Sequence, residues 1–123
     1  MFKATPHQVY EALMDAKQHA RFSGDTATIS RKVGGTFSAY GGYITGKNIK
    51  LVQDEKILQE WIASDFPQGH TSTATFIFKA VKGGTKLLFT HAYVPPAQYE
   101  SLKQGWIDYY WEPMKEFFKE KSL

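Results

Sequence analysis

The stretch Gln104-Gly105-Trp106-Ile107-Asp108-Tyr109-Tyr110-Trp111 decides how this chain folds. It lies within a run from Pro96 to Leu123 in which Leu102, Trp106, Tyr109, Tyr110, Met114, Phe117 and Phe118 recur at spacings of three and four. That period predicts one long amphipathic helix with these residues on a broad apolar face. Lys103, Asp108, Glu112, Lys115, Glu116 and Lys119 occupy much of the other side. So many large rings close together need an extensive apolar surface to lie against. Pro113 falls inside the run and brings no backbone N–H, which predicts a kink or a one-turn irregularity. Such a break reads either as a hinge at a cavity mouth or as the bend that fits a helix to a curved sheet.

Working back from the helix, the upstream chain supplies that surface. In Thr71 to Ala80, Ala74, Phe76, Phe78 and Ala80 alternate with Thr71, Thr73, Thr75 and Ile77. Period two with a polar outer face marks an antiparallel sheet packed on one side. Val81-Lys82-Gly83-Gly84 predicts a hairpin turn, and Thr85 to His91 pairs back. Further upstream, Ile57 to Ala63, Tyr43 to Val52, Thr36 to Tyr40 and Ala27 to Ser30 read as strands, with Gly46 expected at a bend or bulge. Before them, Thr5-Pro6-His7-Gln8 is a helix start. Thr5 caps, Pro6 suits the first helical position and Gln8 completes a capping box. That helix runs to about Asp15, a second covers Ala16 to Phe22, and Met1 to Ala4 looks like the tail of a strand. The fold class is α+β. A curved antiparallel sheet of about six to seven strands grips a long C-terminal helix, with two short helices near the N-terminus.

Composition agrees. With 123 residues, 42% of them hydrophobic and 15% aromatic, the chain is expected to form a single domain over residues 1–123. The formal net charge is +3, but its lysines and arginines are scattered, so no nucleic-acid footprint is expected. The absence of cysteine excludes disulfides, thiolate metal sites and a cysteine nucleophile, and fits the reducing cytoplasm. No apolar run reaches membrane-span length and no basic-then-apolar leader opens the chain, so no membrane partner is expected. A monomer is expected.

The layout and its punctuation resemble the activator of heat-shock protein 90 ATPase domain, a family of the START and birch-pollen-allergen (helix-grip) superfamily. The residues that carry the resemblance are Thr5 to Leu13, Gly34-Gly35-Thr36-Phe37 and Gly83-Gly84-Thr85-Lys86-Leu87. Phe66-Pro67-Gln68-Gly69-His70 and Gln104 to Tyr110 look specifically like the C-terminal domain of the eukaryotic co-chaperone. The resemblance covers nearly the whole chain. It implies a non-catalytic domain that binds a heat-shock protein 90 chaperone and favours its ATPase-competent conformation. The family usually has a full first strand before the Thr-Pro helix start, where this chain has only a few residues. The expected sheet edge is therefore short, or supplied by residues outside this chain. The co-chaperone also carries a separate N-terminal domain that makes much of the chaperone contact.

No catalytic set, metal site or cofactor motif stands out. His7, His19, His70 and His91 are not spaced as metal ligands. The glycine pairs precede strands, so they do not cradle phosphate at a helix N-terminus. His91 shares a strand face with Leu87 and Phe89, which points its ring toward the helix. The bland expectation is an imidazole satisfied by a backbone carbonyl or a tyrosine hydroxyl; the sharper one is an acid or base. Glu60 alternates with Trp61 and is expected to face out, and Asp108 is expected to be solvated. The candidate ligand-binding set is Trp61, Phe76, Phe78, Phe89, His91, Trp106 and Tyr110. Interlocked, these side chains are core. If the sheet bows away from the helix, they line a cavity for a small apolar ligand. The resemblance implies the same alternative, since helix-grip relatives hold lipids, hormones and polyketide-like molecules between sheet and helix.

Overall fold

The computed structural model describes residues 2–121; Met1, Ser122 and Leu123, which the predicted strand tail and terminal helix include, lie outside the described residues. Helix α1, Pro6–Met14, starts as its sequence dictates. The Gln8 N–H donates to the Thr5 hydroxyl and the Thr5 N–H donates to Gln8 Oε1, so both halves of the capping box are made. Asp15 ends α1 and caps α2, Ala16–Ser23, by accepting from the Lys17 N–H. One residue thus joins two helices without a linker.

Six strands follow: β1 Ala27–Ile29, β2 Thr36–Ala39, β3 Ile44–Val52, β4 Lys56–Ala63, β5 Ser72–Val81 and β6 Gly84–Ala92. They form one antiparallel sheet in the order β1-β2-β3-β4-β5-β6, each strand beside its neighbour in sequence. The strand tail at the N-terminus is reduced to a bridge, in which Phe2 and Thr85 exchange backbone bonds of 2.8 and 2.9 Å. Gly84 permits that approach, because a Cβ there would stand 2.0 Å from the Phe2 carbonyl oxygen.

Gly46 is neither bend nor bulge. The register slips instead between Asn48 and Lys50, so Ile49 is the inserted residue. Gly46 stays in register opposite Trp61, and its lack of a side chain makes room for the Phe37 ring. A Cβ there would lie 2.0 Å from the Glu60 carbonyl oxygen and 2.6 Å from the ring.

The C-terminal helix covers one face of the sheet, but not as a single uniform rod. A 3₁₀ turn at Pro96–Gln98 leads into α3, Tyr99–Trp106; a π turn, Ile107–Trp111, follows, and α4 runs over Glu112–Lys121. The irregularity expected from Pro113 therefore falls on the turn before it. A proline at 113 removes the donor that an α-helix would offer to the carbonyl four residues back, Tyr109. The Tyr40 hydroxyl donates to that oxygen instead. The wide turn also changes phase. Each residue advances less than in an α-helix, so Tyr109, expected on the buried face, falls short of it and is 60% exposed. Trp111, absent from the predicted face, comes onto it and stacks on Trp106 at 5.4 Å.

The core is where the two N-terminal helices and the terminal helix meet the inner strand positions. Ile57, Trp61, Ala74, Phe76 and Phe78 of the sheet are buried, as are Val9, Leu13 and Met14 of α1. Trp106, Tyr110, Met114, Phe117 and Phe118 close it from the other side. Each such large apolar side chain contributes about 1.5–3 kcal/mol.

Candidate functional site

The seven candidate ligand-binding residues divide into two groups. Phe76, Phe89, Trp61, His91 and Tyr110 surround the Trp106 ring, with centroids 5.8, 4.4, 5.3, 5.6 and 4.4 Å away. Phe78 packs edge-on against Tyr10 of α1 at 5.7 Å. A partly open space between sheet and helix, bounded by Trp61, Phe76, Trp106 and Tyr110 among others, holds about 20 Å³, room for about one water.

His91 is held differently from the expectation. Its partners are neither a backbone carbonyl nor a tyrosine. The Trp106 indole Nε1–H donates to His91 Nδ1 at 3.0 Å. Nδ1 must therefore be unprotonated, which leaves the ring proton on Nε2 to be donated to the Ser72 hydroxyl at 2.8 Å. Ser72 in turn donates to the Trp61 carbonyl at 2.6 Å. This relay ties the helix to β6, β5 and β4 in one direction of hydrogen-bond donation. Burial lowers the His91 pKa to about 4, in keeping with a neutral ring. His19 is similarly pushed down to about 4 by burial among Phe22, Tyr40 and Tyr110, and its Nδ1 has no hydrogen-bond partner among the described residues.

The larger opening lies beside the core. A groove of about 560 Å³ runs between the start of the terminal helix and the turn that follows β2. Trp61, Trp106 and Tyr110 from the candidate set line it; Phe76, Phe78, Phe89 and His91 do not. Its other principal walls are Tyr40, Tyr43 and Tyr109, with the carboxylates of Asp65 and Asp108. Tyr40 has φ 52, a left-handed conformation uncommon for a bulky residue, and its ring meets Tyr109 and Tyr110 edge-on at 5.7 Å each. The Tyr43 hydroxyl donates to Asp65 Oδ1 at 2.9 Å, and Gln104 Nε2 donates to Asp108 Oδ1 at 2.9 Å. Burial, then the Asp65 bond and its charge, push the Tyr43 phenol up to about 12. Burial raises Tyr40 and Tyr110 further still. All three phenols are neutral at physiological pH.

Sequence reasoning missed Tyr40, Tyr43, Asp65 and Tyr109. The available signal was Tyr40-Gly41-Gly42-Tyr43, two rings flanking a turn.

Among known proteins, the family described as "Activator of Hsp90 ATPase homolog 1-like protein" matches residues 3–119. The chain belongs to that family. It is similar to the human "Activator of 90 kDa heat shock protein ATPase homolog 1", 29% identical over 117 residues, which make up 95% of this chain and 35% of the human protein. The mouse homolog 2 is 28% identical over 115 residues, again 35% of its length. The chain thus spans about a third of the curated relatives it matches. A crystal structure described as an HSP90 activator from Plasmodium falciparum superposes with a TM-score of 0.91 at 29% identity, over 96% of this chain and 91% of that one. A Mesorhizobium loti protein, 18% identical, shares the fold with a TM-score of 0.84 over 100% of this chain and 95% of its own. The α+β helix-grip architecture expected from the sequence is the one this chain shares with both structures.

Proposed function

We propose that this domain binds a chaperone of the heat-shock protein 90 class and favours its ATPase-competent conformation, with no chemistry of its own. The observation that carries the reading is the match, along nearly the whole chain, to a structure described as an HSP90 activator. The surface is compatible with a protein partner. Tyr43, Tyr99, Ile107 and Tyr109 stand exposed around the start of the terminal helix, and exposed tyrosines supply large contact area at low entropic cost. The setting would be the cytoplasm, where such a chaperone works. The test is the steady-state ATPase rate of a purified chaperone with and without this protein, alongside direct binding. Acceleration with saturable binding supports the reading, and neither binding nor acceleration refutes it.

A second reading is that a small ligand is carried or sensed. The roomy groove favours it, since its volume is that of a metabolite-sized site while the space between sheet and helix beside Phe76 holds about 20 Å³. The ligand would lie against Trp61, Trp106 and Tyr110. Resonance shifts of both indoles on adding small aromatic compounds would support it.

A further inference from the structure

The groove differs in charge from the chain that builds it. The sequence holds 15 lysines and arginines against 12 aspartates and glutamates. Of the 13 residues that line the groove, however, two are aspartates and none is cationic. Resting on the second reading above, we infer that the groove takes an organic cation, an ammonium group on an apolar body about the size of one ring.

The argument is one of complementarity. Tyr40, Tyr43 and Tyr109 present aromatic rings, whose faces carry partial negative charge and attract a cation. Asp65 and Asp108 add full negative charge on the same walls. Among the described residues neither carboxylate has a cationic partner; Tyr43 and Gln104 hold them by neutral hydrogen bonds. An anionic ligand would meet two like charges with no counter-ion. Asp65 and Asp108 are exposed, so a wholly apolar ligand would leave both carboxylates in water and gain nothing from them. An ammonium beside either carboxylate gains from it and from the rings, while its apolar body lies on Trp61 and Trp106. The volume of about 560 Å³ admits such a molecule with space to spare.

Three probes sharing one skeleton separate the possibilities: tyramine, 4-propylphenol with a methyl in place of the ammonium, and 3-(4-hydroxyphenyl)propionate with a carboxylate there. Each is titrated into the full chain while the Trp61, Trp106 and Tyr109 resonances are followed. Tyramine is expected to bind on the order of tenfold tighter than 4-propylphenol, and the propionate not to bind. Asp65→Asn and Asp108→Asn keep an acceptor for Tyr43 and Gln104. Each should weaken tyramine roughly threefold or more and leave 4-propylphenol unchanged, which also reports that the variant is folded. Equal affinity for tyramine and 4-propylphenol overturns the cation assignment but leaves the ligand reading standing. Tyramine binding that both variants leave untouched also overturns it. Binding by none of the three overturns both.

Discussion

Lowering the pH from 7 to 5 is expected to remove about 3 kcal/mol of stability through two histidines, His19 and His91. The sign follows from the direction of their shifts. Both imidazoles are held near 4 in the fold, against an ordinary value of 6.5. As pH falls through 6.5 the unfolded chain takes up both protons and the native chain takes up neither. Stability is therefore full above 6.5 and declines toward 4. A group shifted this far loses about 2 kcal/mol by pH 5. We allow the full value for His19, which is 4% exposed, and about half for the partly exposed His91. The reason is geometric at His91, because a proton on Nδ1 would set two donors, imidazole and Trp106 indole, against each other. The assay is urea unfolding by tryptophan fluorescence at half-unit steps of pH, above the range where carboxylates titrate. His91→Asn, whose side-chain oxygen can replace Nδ1 as acceptor, should shrink the pH-dependent loss by about 1 kcal/mol. Imidazole nitrogen NMR gives the direct reading: a bare Nδ1 and a protonated Nε2 at pH 5.5. A His91 midpoint near its ordinary value, or the opposite tautomer, would refute the relay.

Three further outcomes follow from the packing. Tyr40→Phe should cost about 1 kcal/mol in a native helix and markedly less in a Pro113→Ala background, where an N–H returns for the Tyr109 carbonyl; equal costs would dissolve the proposed link. Gly46→Ala should destabilise by more than about 2 kcal/mol, because the nearest obstacle is the Glu60 backbone and not a side chain that can turn away; a near-neutral unfolding midpoint would contradict this. Asn48→Ala should cost about 2–3 kcal/mol in the same measurement. It strands the Gln59 amide and removes the donor to the Ser30 and Lys32 carbonyls, at a site where Asn48 is 1% exposed.

The legible parts of the fold were those written in local chemistry. The Thr5–Gln8 capping box, the Lys82-Gly83 turn and the two-residue alternation of β5 each act over a few residues, and each was readable there. What escaped depended on distant partners. Gly46 looks like a bend until Phe37 and the Glu60 backbone are known to crowd it. Trp111 and Tyr109 exchange places because a π turn shifts the helical phase, which a fixed 3.6-residue period cannot register. The groove was the least visible part, since Tyr40, Asp65 and Asp108 are brought together from a turn, a loop and a helix far apart in sequence. Asn48 and Gln59, polar residues in strands, gave no sign that they would be buried against each other.

The order of the elements has a consequence during synthesis. All six strands pair with sequence neighbours, so the meander can zip up hairpin by hairpin as it leaves the ribosome. The helix that shields its oily face comes afterwards, from Tyr99 onward. For the time it takes to translate that segment, the nascent sheet stands half-dressed, and Trp61, Phe76 and Phe89 are open to any neighbour before Trp106 arrives.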